Sequence, residues 1–190
     1  MDTSKRLRIK DNEFKMLSCD HELKRGIIYA LECLYGNDYY LIDNGFESHV
    51  DERSIVFRFG YYFQTFIEHL RPYSDYVVNI EYNRYGSDPK RVNGGLKIPD
   101  LILHKRGIND NLLVMEFKTY WNDRNKSDIL KDVDELKEMT KQTGSYKYKY
   151  GLFILINKNK PLVTVFKKGD YYSGVNEESY FDICKRYMFR

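Results

Sequence analysis

The chain has 190 residues, of which 42% are hydrophobic, and this is enough apolar material for one domain with a buried core. Its net charge of +3 neither requires nor excludes a polyanionic partner, because local clustering of charge matters more than the total. The 3 cysteines lack CxxC spacing, which argues against a disulfide framework or a zinc site. The N-terminal segment lacks the apolar stretch of a leader, and no run reaches the about 18 residues of a membrane span. We therefore expect a soluble, unprocessed cytoplasmic protein.

Helical patterns dominate the first part of the chain. Residues 1–15 are polar and basic, which indicates a loosely ordered arm. Apolar residues recur at helical spacing over residues 20–35, with Asp20 as a candidate N-cap and Gly36 as a stop signal. Residues 38–48 are interpreted as a loop or a short strand. We regard the first helix as scaffold.

A second helix is predicted over residues 49–70, ended by Pro72. Its inward stripe consists of Val56, Phe59, Phe63, Phe66 and Leu70. One turn further back the same stripe reaches Glu52, and a carboxylate there either complements the helix dipole or belongs to a functional site. Arg58 and Gln64 lie off the stripe, where each side chain reaches either phosphate or solvent.

A strand and a basic loop follow. Alternating residues predict a strand over residues 76–84, with Glu81 on its polar face. If that face also carries other carboxylates, Glu81 is a metal or water ligand; otherwise it is a solvated edge residue. Residues 85–97 contain several glycines and a proline, and predict a mobile loop whose basic residues are Lys90, Arg91 and Lys97. Such loops can bind a phosphate backbone, although many are simple connections.

Residues 98–103 and 112–117 predict a β-hairpin, because two apolar runs flank a polar turn segment. A turn midway between the runs places Asp100 opposite Glu116, with Cβ atoms about 4.5–5.5 Å apart. Since side chains alternate along a strand, Lys118 shares their face. The opposite face carries Leu101, Leu103, Met115 and Phe117. One face of the hairpin thus gathers two carboxylates and an ammonium group.

This charged face has two possible meanings. Adjacent carboxylates repel each other when they are shielded from water, and a divalent cation such as Mg²⁺ would remove the repulsion. The alternative is that Glu116 and Lys118 form a solvent-facing pair on an edge strand, while Asp100 merely ends a turn. The apolar runs favour the first interpretation, since few exposed positions are typical of central strands covered on both faces.

The hairpin residues Pro99, Asp100, Glu116, Phe117 and Lys118 resemble the signature of the PD-(D/E)XK nuclease superfamily. Flanking matches to small prokaryotic members are Glu81 to Arg84 and His104 to Gly107. The resemblance covers about residues 52–166, and only the hairpin signature is specific. Members of the superfamily often carry a lysine near residues 132–136; Glu135 is found there instead, so no role is transferred to it.

The resemblance implies hydrolysis of phosphodiester bonds, expected in DNA, that depends on Mg²⁺ or Mn²⁺. It implies that Asp100 and Glu116 hold the metal, with Glu52 completing the ligand set; Glu81 is a further ligand only if its strand face is the one that carries Asp100. Lys118 would orient and help to activate the attacking water. The residues expected to contact nucleic acid are Arg58, Lys90, Arg91 and Lys97.

The remaining pattern completes the predicted fold. It comprises a helix over residues 127–142 capped by Ser127, strands over 148–156 and 162–166, and a last helix over 177–187. This order predicts a mixed sheet with helices on both faces. The resemblance implies that it is a restriction-endonuclease-like three-layer α/β/α sandwich. We expect a single domain over residues 1–190, with its core at about 49–167.

Two other functions remain open. A binding or regulatory module on the same fold is favoured by the modest net charge and by the lack of a helix-turn-helix or zinc-finger motif. A metal-dependent hydrolase of another phosphate ester would leave DNA intact. A homodimer is possible, because enzymes that cut both strands are often two-fold dimers, but no segment predicts an interface.

Overall fold

The computed structural model describes residues 20–46, 48–85, 88–92, 94–122 and 126–171. The predicted arm over residues 1–15 and the predicted helix over 177–187 lie outside the described residues. The helices are α1 (His21–Asn37), α2 (Tyr39–Ile42), α3 (Glu52–Ile67) and α4 (Lys126–Thr140). The strands are β1 (Val77–Ile80), β2 (Arg84–Tyr85), β3 (Asp88–Pro89), β4 (Arg91–Val92), β5 (Gly95–Leu96), β6 (Leu101–Lys105), β7 (Asp110–Thr119), β8 (Tyr150–Ile156), β9 (Leu162–Lys167) and β10 (Asp170–Tyr171).

Six of these strands form one mixed sheet in the order β1-β6-β7-β8-β9-β10. Strands β7 and β8 are parallel, and the other neighbouring pairs are antiparallel. Helices flank this sheet, with α1 and α3 on one face and α4 on the other. The α/β class and the mixed central sheet predicted from sequence are therefore confirmed.

The central hairpin β6–β7 has the predicted register. Leu101 pairs with Met115 and Leu103 with Leu113, after which the register shifts by one residue. Alternate side chains enter two apolar clusters. The cluster under α1 and α3 contains Leu101, Leu103, Met115 and Phe117, and the cluster under α4 contains Ile102 and Val114. Both strands are covered on both faces, so their almost continuous apolar runs are explained.

The first helices differ in detail from the sequence prediction. Asp20 lies at the N-cap position of α1, but its side chain does not cap the helix. It instead accepts a hydrogen bond from the Tyr73 hydroxyl and lies 3.3 Å from Lys149 Nζ. Residues 38–48, predicted as a loop or strand, contain the single-turn helix α2. Helix α3 begins after Asp51, whose carboxylate accepts the Arg53 N–H at 2.8 Å.

Strand β1 is shorter than predicted, because Glu81 has a φ of +49° and the chain bends there. As a result Tyr82 packs with the α4 cluster and departs from the face expected for it. The segment 85–97, predicted as a mobile loop, includes two small antiparallel pairs, β2–β3 and β4–β5.

Helix α4 starts at Lys126, so Ser127 is its second residue and the prediction of Ser127 as the cap was wrong. The helix ends at Thr140, two residues earlier than predicted. Its inward residues Ile129, Val133 and Leu136 are buried as expected. Across the ranges that the structure describes, no helix combines the length and the apolar character needed to cross a membrane.

Candidate functional site

The predicted site lies where the hairpin strands meet the start of α3. Because Leu101 pairs with Met115, continuation of the register puts Asp100 opposite Glu116. Asp100 precedes β6, and its Oδ2 accepts a hydrogen bond of 2.7 Å from the Phe117 N–H. Burial, followed by the charge of Glu52, raises the pKa of Asp100 to about 6, although the Phe117 hydrogen bond opposes the shift.

Glu116 is the most enclosed carboxylate of the site, with 3% of its surface exposed. Burial and then the nearby charge of Asp100 raise its pKa well above the usual range. Its Oε1 lies 3.0 Å from Lys97 Nζ, but no hydrogen bond is directed at this oxygen. Glu116 therefore has an ionic neighbour and an incompletely satisfied oxygen atom.

Lys118 lies between carboxylates from two helices. Its Nζ is 3.1 Å from Asp132 Oδ2 on α4 and 3.9 Å from Glu52 Oε1 on α3. Burial acts to lower the pKa of Lys118, but Asp132 and Glu52 outweigh it and the pKa is raised. The ammonium group is accordingly kept charged at the end of β7.

Glu52 is fixed by the last residue of β7. Its Oε2 accepts hydrogen bonds from the Thr119 N–H at 2.9 Å and from the Thr119 hydroxyl at 3.2 Å. The expectation that the first turn of α3 brings a carboxylate toward the hairpin agrees with this geometry. One carboxylate oxygen is thereby used for orientation, while Oε1 faces Lys118.

Sequence reasoning missed the acidic pair on α4. Asp132 and Glu135 are 8% and 7% exposed, and both approach the lysines of the site. They are three residues apart, so they lie on the same side of the helix. The available signal was their position next to the inward residues Val133 and Leu136.

Lys97 has a different environment from the one predicted for it. Its Nζ lies 2.5 Å from Glu135 Oε2 and 3.7 Å from Asp132 Oδ1, in addition to its contact with Glu116. Burial opposes its charged form, but the surrounding carboxylates overcome this and raise its pKa. The side chain is 12% exposed, so in this conformation it neutralises the acidic cluster and does not present a cation to a phosphate backbone.

The other predicted nucleic-acid contacts are dispersed. Arg58 donates to Asp38 Oδ2 at 2.8 Å and to the Tyr62 hydroxyl at 2.6 Å, which ties α3 to the end of α1. Arg91 is exposed, and its backbone exchanges hydrogen bonds with the Tyr146 hydroxyl. Lys90 is buried, with 2% of its surface exposed. The Lys97 N–H donates to the Lys90 carbonyl oxygen at 2.9 Å, but the Lys97 ammonium group lies among carboxylates and Arg58 is paired with Asp38, so the four residues do not form one cationic surface.

Glu81 lines a cleft of about 480 Å³ together with Glu52 and Asp100. Its Oε1 is 2.8 Å from Arg53 Nε, and 47% of its side chain is exposed. Both options left open by the sequence thus apply in part, because Glu81 is a solvated residue at the edge of the site. The Arg53 ion pair would have to open before Glu81 acted as a ligand.

The carboxylates of the site are suitable ligands for a hard divalent cation, although their present arrangement is not that of a formed metal site. Asp100, Glu116 and Glu52 offer carboxylate oxygens, which Mg²⁺ and Mn²⁺ prefer. Among the residues that the structure describes, no group of three or more His, Cys, Asp or Glu side chains is already gathered for a metal. The ammonium groups of Lys97 and Lys118 lie among the acids instead. Metal binding would therefore require at least the Lys97 ammonium group to move away from Glu116.

Comparison with known proteins adds no assignment to this geometry. No protein-family model matches the chain, and no curated protein or solved structure shows significant similarity to it.

Proposed function

We propose that the protein is a divalent-metal-dependent nuclease that hydrolyses phosphodiester bonds, with DNA as the substrate class. The observation that carries this proposal is that Asp100 lies near both Glu116 and Glu52, while the charged Lys118 at the end of β7 lies near Glu52 and Asp100. Carboxylates gathered in partial burial are costly unless a cation compensates them. A site of this composition is suited to hydrolysis of a phosphate ester.

The restriction-endonuclease-like fold is part of the same proposal. In chain order, α3, β1, β6, β7, α4 and β8 form a helix, three strands of the main sheet, a helix and a further strand, with the small pairs β2–β3 and β4–β5 inserted between β1 and β6. Glu52 belongs to α3, Glu116 and Lys118 belong to β7, and Asp100 is the residue before β6. This arrangement supports the resemblance carried by Pro99, Asp100, Glu116, Phe117 and Lys118. We also propose a cytoplasmic location for the protein.

Asp100, Glu116 and Glu52 would hold Mg²⁺ or Mn²⁺. The raised pKa values of Asp100 and Glu116 support this fit, because burial disfavours the charged form of both carboxylates more than the nearby lysines stabilise it, and a divalent ion would add to that compensation. Hydrogen bonds from Phe117 and Thr119 leave the second oxygen of Asp100 and Glu52 for a ligand. A bound divalent ion would polarise a phosphoryl oxygen and neutralise its charge.

Lys118 would act on the reacting phosphate. Its ammonium group is held charged by Asp132 and Glu52, so it can stabilise negative charge that develops on the phosphate oxygens. The same group can donate a hydrogen bond to the attacking water and orient it. Its raised pKa argues against Lys118 as the base that removes a proton near neutral pH.

The test is cleavage of plasmid and single-stranded circular DNA with Mn²⁺, Mg²⁺ or a chelator. We expect metal-dependent cleavage by the parent and a loss of about 10²-fold or more in Asp100→Ala and Lys118→Ala. Lys131→Ala is the matched control, because Lys131 is an exposed residue of α4. Absence of cleavage by folded parent protein, or full cleavage by both site variants, would contradict the proposal.

A second candidate is a catalytically inactive binding or regulatory module. It is favoured by the contacts of Lys97 with Glu116 and Glu135, because this internal ammonium already compensates part of the acidic cluster. Titration with Mn²⁺ distinguishes the two functions. The nuclease requires Mn²⁺ binding that depends on Asp100, whereas a catalytically inactive module does not.

A further inference from the structure

A second cleft lies at the other end of β6 from Asp100. It has a volume of about 370 Å³, and its lining includes Tyr82, Arg84, Lys90, His104 and Lys105. No acidic side chain of the described residues lines it. Three cationic side chains therefore surround a cavity large enough for a phosphate group and part of its neighbours.

Lys90 is the most unusual member of this lining. Its residue surface is 2% exposed, and its Nζ donates to the Tyr82 carbonyl oxygen at 3.1 Å and lies 4.7 Å from the Tyr82 ring centroid. None of the described carboxylates forms an ion pair with it, and burial lowers its pKa to about 8. A buried ammonium without an anionic partner is unfavourable, and an anion in the cleft would compensate it.

Two other side chains of the cleft, His104 and Lys105, add little net charge to it. Burial, followed by the charges of Lys90 and Arg106, lowers the pKa of His104 to about 4, so its ring is neutral near pH 7. His104 Nε2 lies 3.0 Å from Asn79 Oδ1, which holds the ring in place. Lys105 is partly balanced by Asp110 at 3.5 Å and by Asp75 at 3.9 Å.

The cleft and the candidate metal site lie at opposite ends of strand β6. Asp100 and His104 are four residues apart along β6, which corresponds to about 13 Å at the usual rise of a strand. Ile102 lies between them and is buried in the cluster under α4, so a nucleic-acid strand that joins the two sites would have to follow the edge strand β1. A nucleic-acid strand spans this distance in roughly four stacked bases.

We propose that this cleft binds a backbone phosphate of a nucleic-acid strand whose reacting phosphate lies at Asp100. The proposal rests on the proposed function, because it assigns a place to the strand beyond the bond that is cut. Arg84 and Lys90 supply the phosphate contacts, and none of the described acidic side chains lines the cleft to repel the anion. The cleft acts through charge and reads no base.

The test is binding of a fluorescein-labelled 12-nucleotide oligothymidylate to the full chain in chelator, followed by anisotropy at several salt concentrations. Removal of one phosphate contact reduces the slope of log affinity against log salt by about 0.7 for a single strand. We expect Lys90→Gln and Arg84→Gln each to weaken binding by about 3- to 10-fold and to reduce the slope by this amount.

Lys168→Gln is the matched control, because Lys168 is exposed at the β9–β10 turn, three strands away from β6 in the sheet. It removes the same charge and is expected to leave the slope unchanged. Because Arg84 is exposed, we expect Arg84→Gln to fold, and it tests phosphate binding at the cleft even if Lys90→Gln fails to fold. Circular dichroism and thermal unfolding establish which variants are folded.

Identical slopes for Arg84→Gln, Lys168→Gln and the parent would overturn the proposal. Inorganic phosphate is titrated separately, and if it binds at Lys90 while the oligonucleotide does not, the cleft serves a free phosphate and the proposal is wrong. All these measurements are made without metal, so a failure of catalysis at Asp100 does not affect them. Loss of binding in the variants alongside inactive parent protein would support phosphate binding at the cleft and contradict the nuclease proposal on which its alignment with Asp100 rests.

Discussion

Glu52 on α3 and Thr119 at the end of β7 are joined by two hydrogen bonds to the same carboxylate oxygen, of 2.9 Å from the N–H and 3.2 Å from the hydroxyl. This relationship attaches the first turn of α3 to the strand that carries Glu116 and Lys118. Thr119 has 0% of its surface exposed, so its hydroxyl has no alternative partner in water. The position of the Glu52 carboxylate therefore depends on Thr119.

Thr119→Val should weaken metal binding without removing a metal ligand. Valine has nearly the same shape, but Glu52 loses the hydroxyl hydrogen bond and the constraint that it imposes. Loss of such an orienting partner typically costs 10- to 100-fold in metal affinity, and about 1–2 kcal/mol of stability. Mn²⁺ affinity is measured by calorimetry, and stability by urea unfolding of the metal-free protein.

Thr65→Val is the matched control for this variant. The Thr65 hydroxyl donates to the Tyr61 carbonyl oxygen at 2.9 Å within α3, outside the site. We expect its Mn²⁺ affinity to equal that of the parent. If Thr119→Val also binds Mn²⁺ as the parent does, then the Thr119 hydroxyl does not control metal binding through Glu52.

Lys97→Met should tighten the binding of Mn²⁺. The ammonium group lies 3.0 Å from Glu116 and 2.5 Å from Glu135, so an incoming divalent ion meets a like charge and an occupied carboxylate. Removal of the charge leaves buried acids uncompensated, which destabilises the metal-free protein by about 3–5 kcal/mol. We expect at least about 10-fold higher Mn²⁺ affinity and a larger stabilisation by metal than in the parent.

Lys131→Met serves as the control for Lys97→Met, since Lys131 is an exposed residue beside Asp132 on α4. Its Mn²⁺ affinity and its unfolding temperature with and without metal should match those of the parent. Weaker Mn²⁺ binding by Lys97→Met would mean that Lys97 supports the metal site and does not compete with the ion.

The central hairpin was predictable from sequence because local signals agree. The alternation of Asp100 with Leu101, and of Glu116 with Phe117, fixes which side chains share a face, and the polar turn fixes the register. The buried stripe of α3 similarly located Glu52. Each of these conclusions depends on residues within one element or on two elements joined by a short turn.

Residues brought in by tertiary packing were not predictable in the same way. Lys97 reaches Glu135 only because the segment before β6 folds back toward α4, and a count of basic residues says nothing about that path. Asp132 was hidden among the many charged residues of α4. Tyr82 left its predicted face because the preceding residue, Glu81, has a φ of +49°, which is unusual for a glutamate.

Asp132→Asn should shift the alkaline limb of the pH profile of cleavage to lower pH. Asp132 Oδ2 lies 3.1 Å from Lys118 Nζ, and this carboxylate is the leading cause that raises the lysine pKa. Without its charge, Lys118 loses its proton at a lower pH, so activity that requires the ammonium falls earlier. The profile of kcat/KM against pH measures the shift, with Asp134→Asn on the exposed side of α4 as control. An unchanged alkaline limb would show that Lys118 need not be charged.

Asp100→Asn should stabilise the metal-free protein above pH 6 and have no such effect below pH 4. Burial raises the folded-state pKa of Asp100 to about 6 from its usual value near 3.8, so ionisation favours the unfolded chain between these pH values. The folded protein therefore has its full stability with respect to Asp100 below pH 4, where the carboxyl is protonated in both states. It loses part of that stability as the pH rises to 6. Asparagine keeps an acceptor for the Phe117 N–H and avoids the loss, which is on the order of 2–3 kcal/mol. Thermal unfolding at pH 4 and pH 8 measures the difference, with exposed Asp134→Asn as control. Equal stability of parent and Asp100→Asn at pH 8 would mean that the folded protein does not oppose this carboxylate's charge.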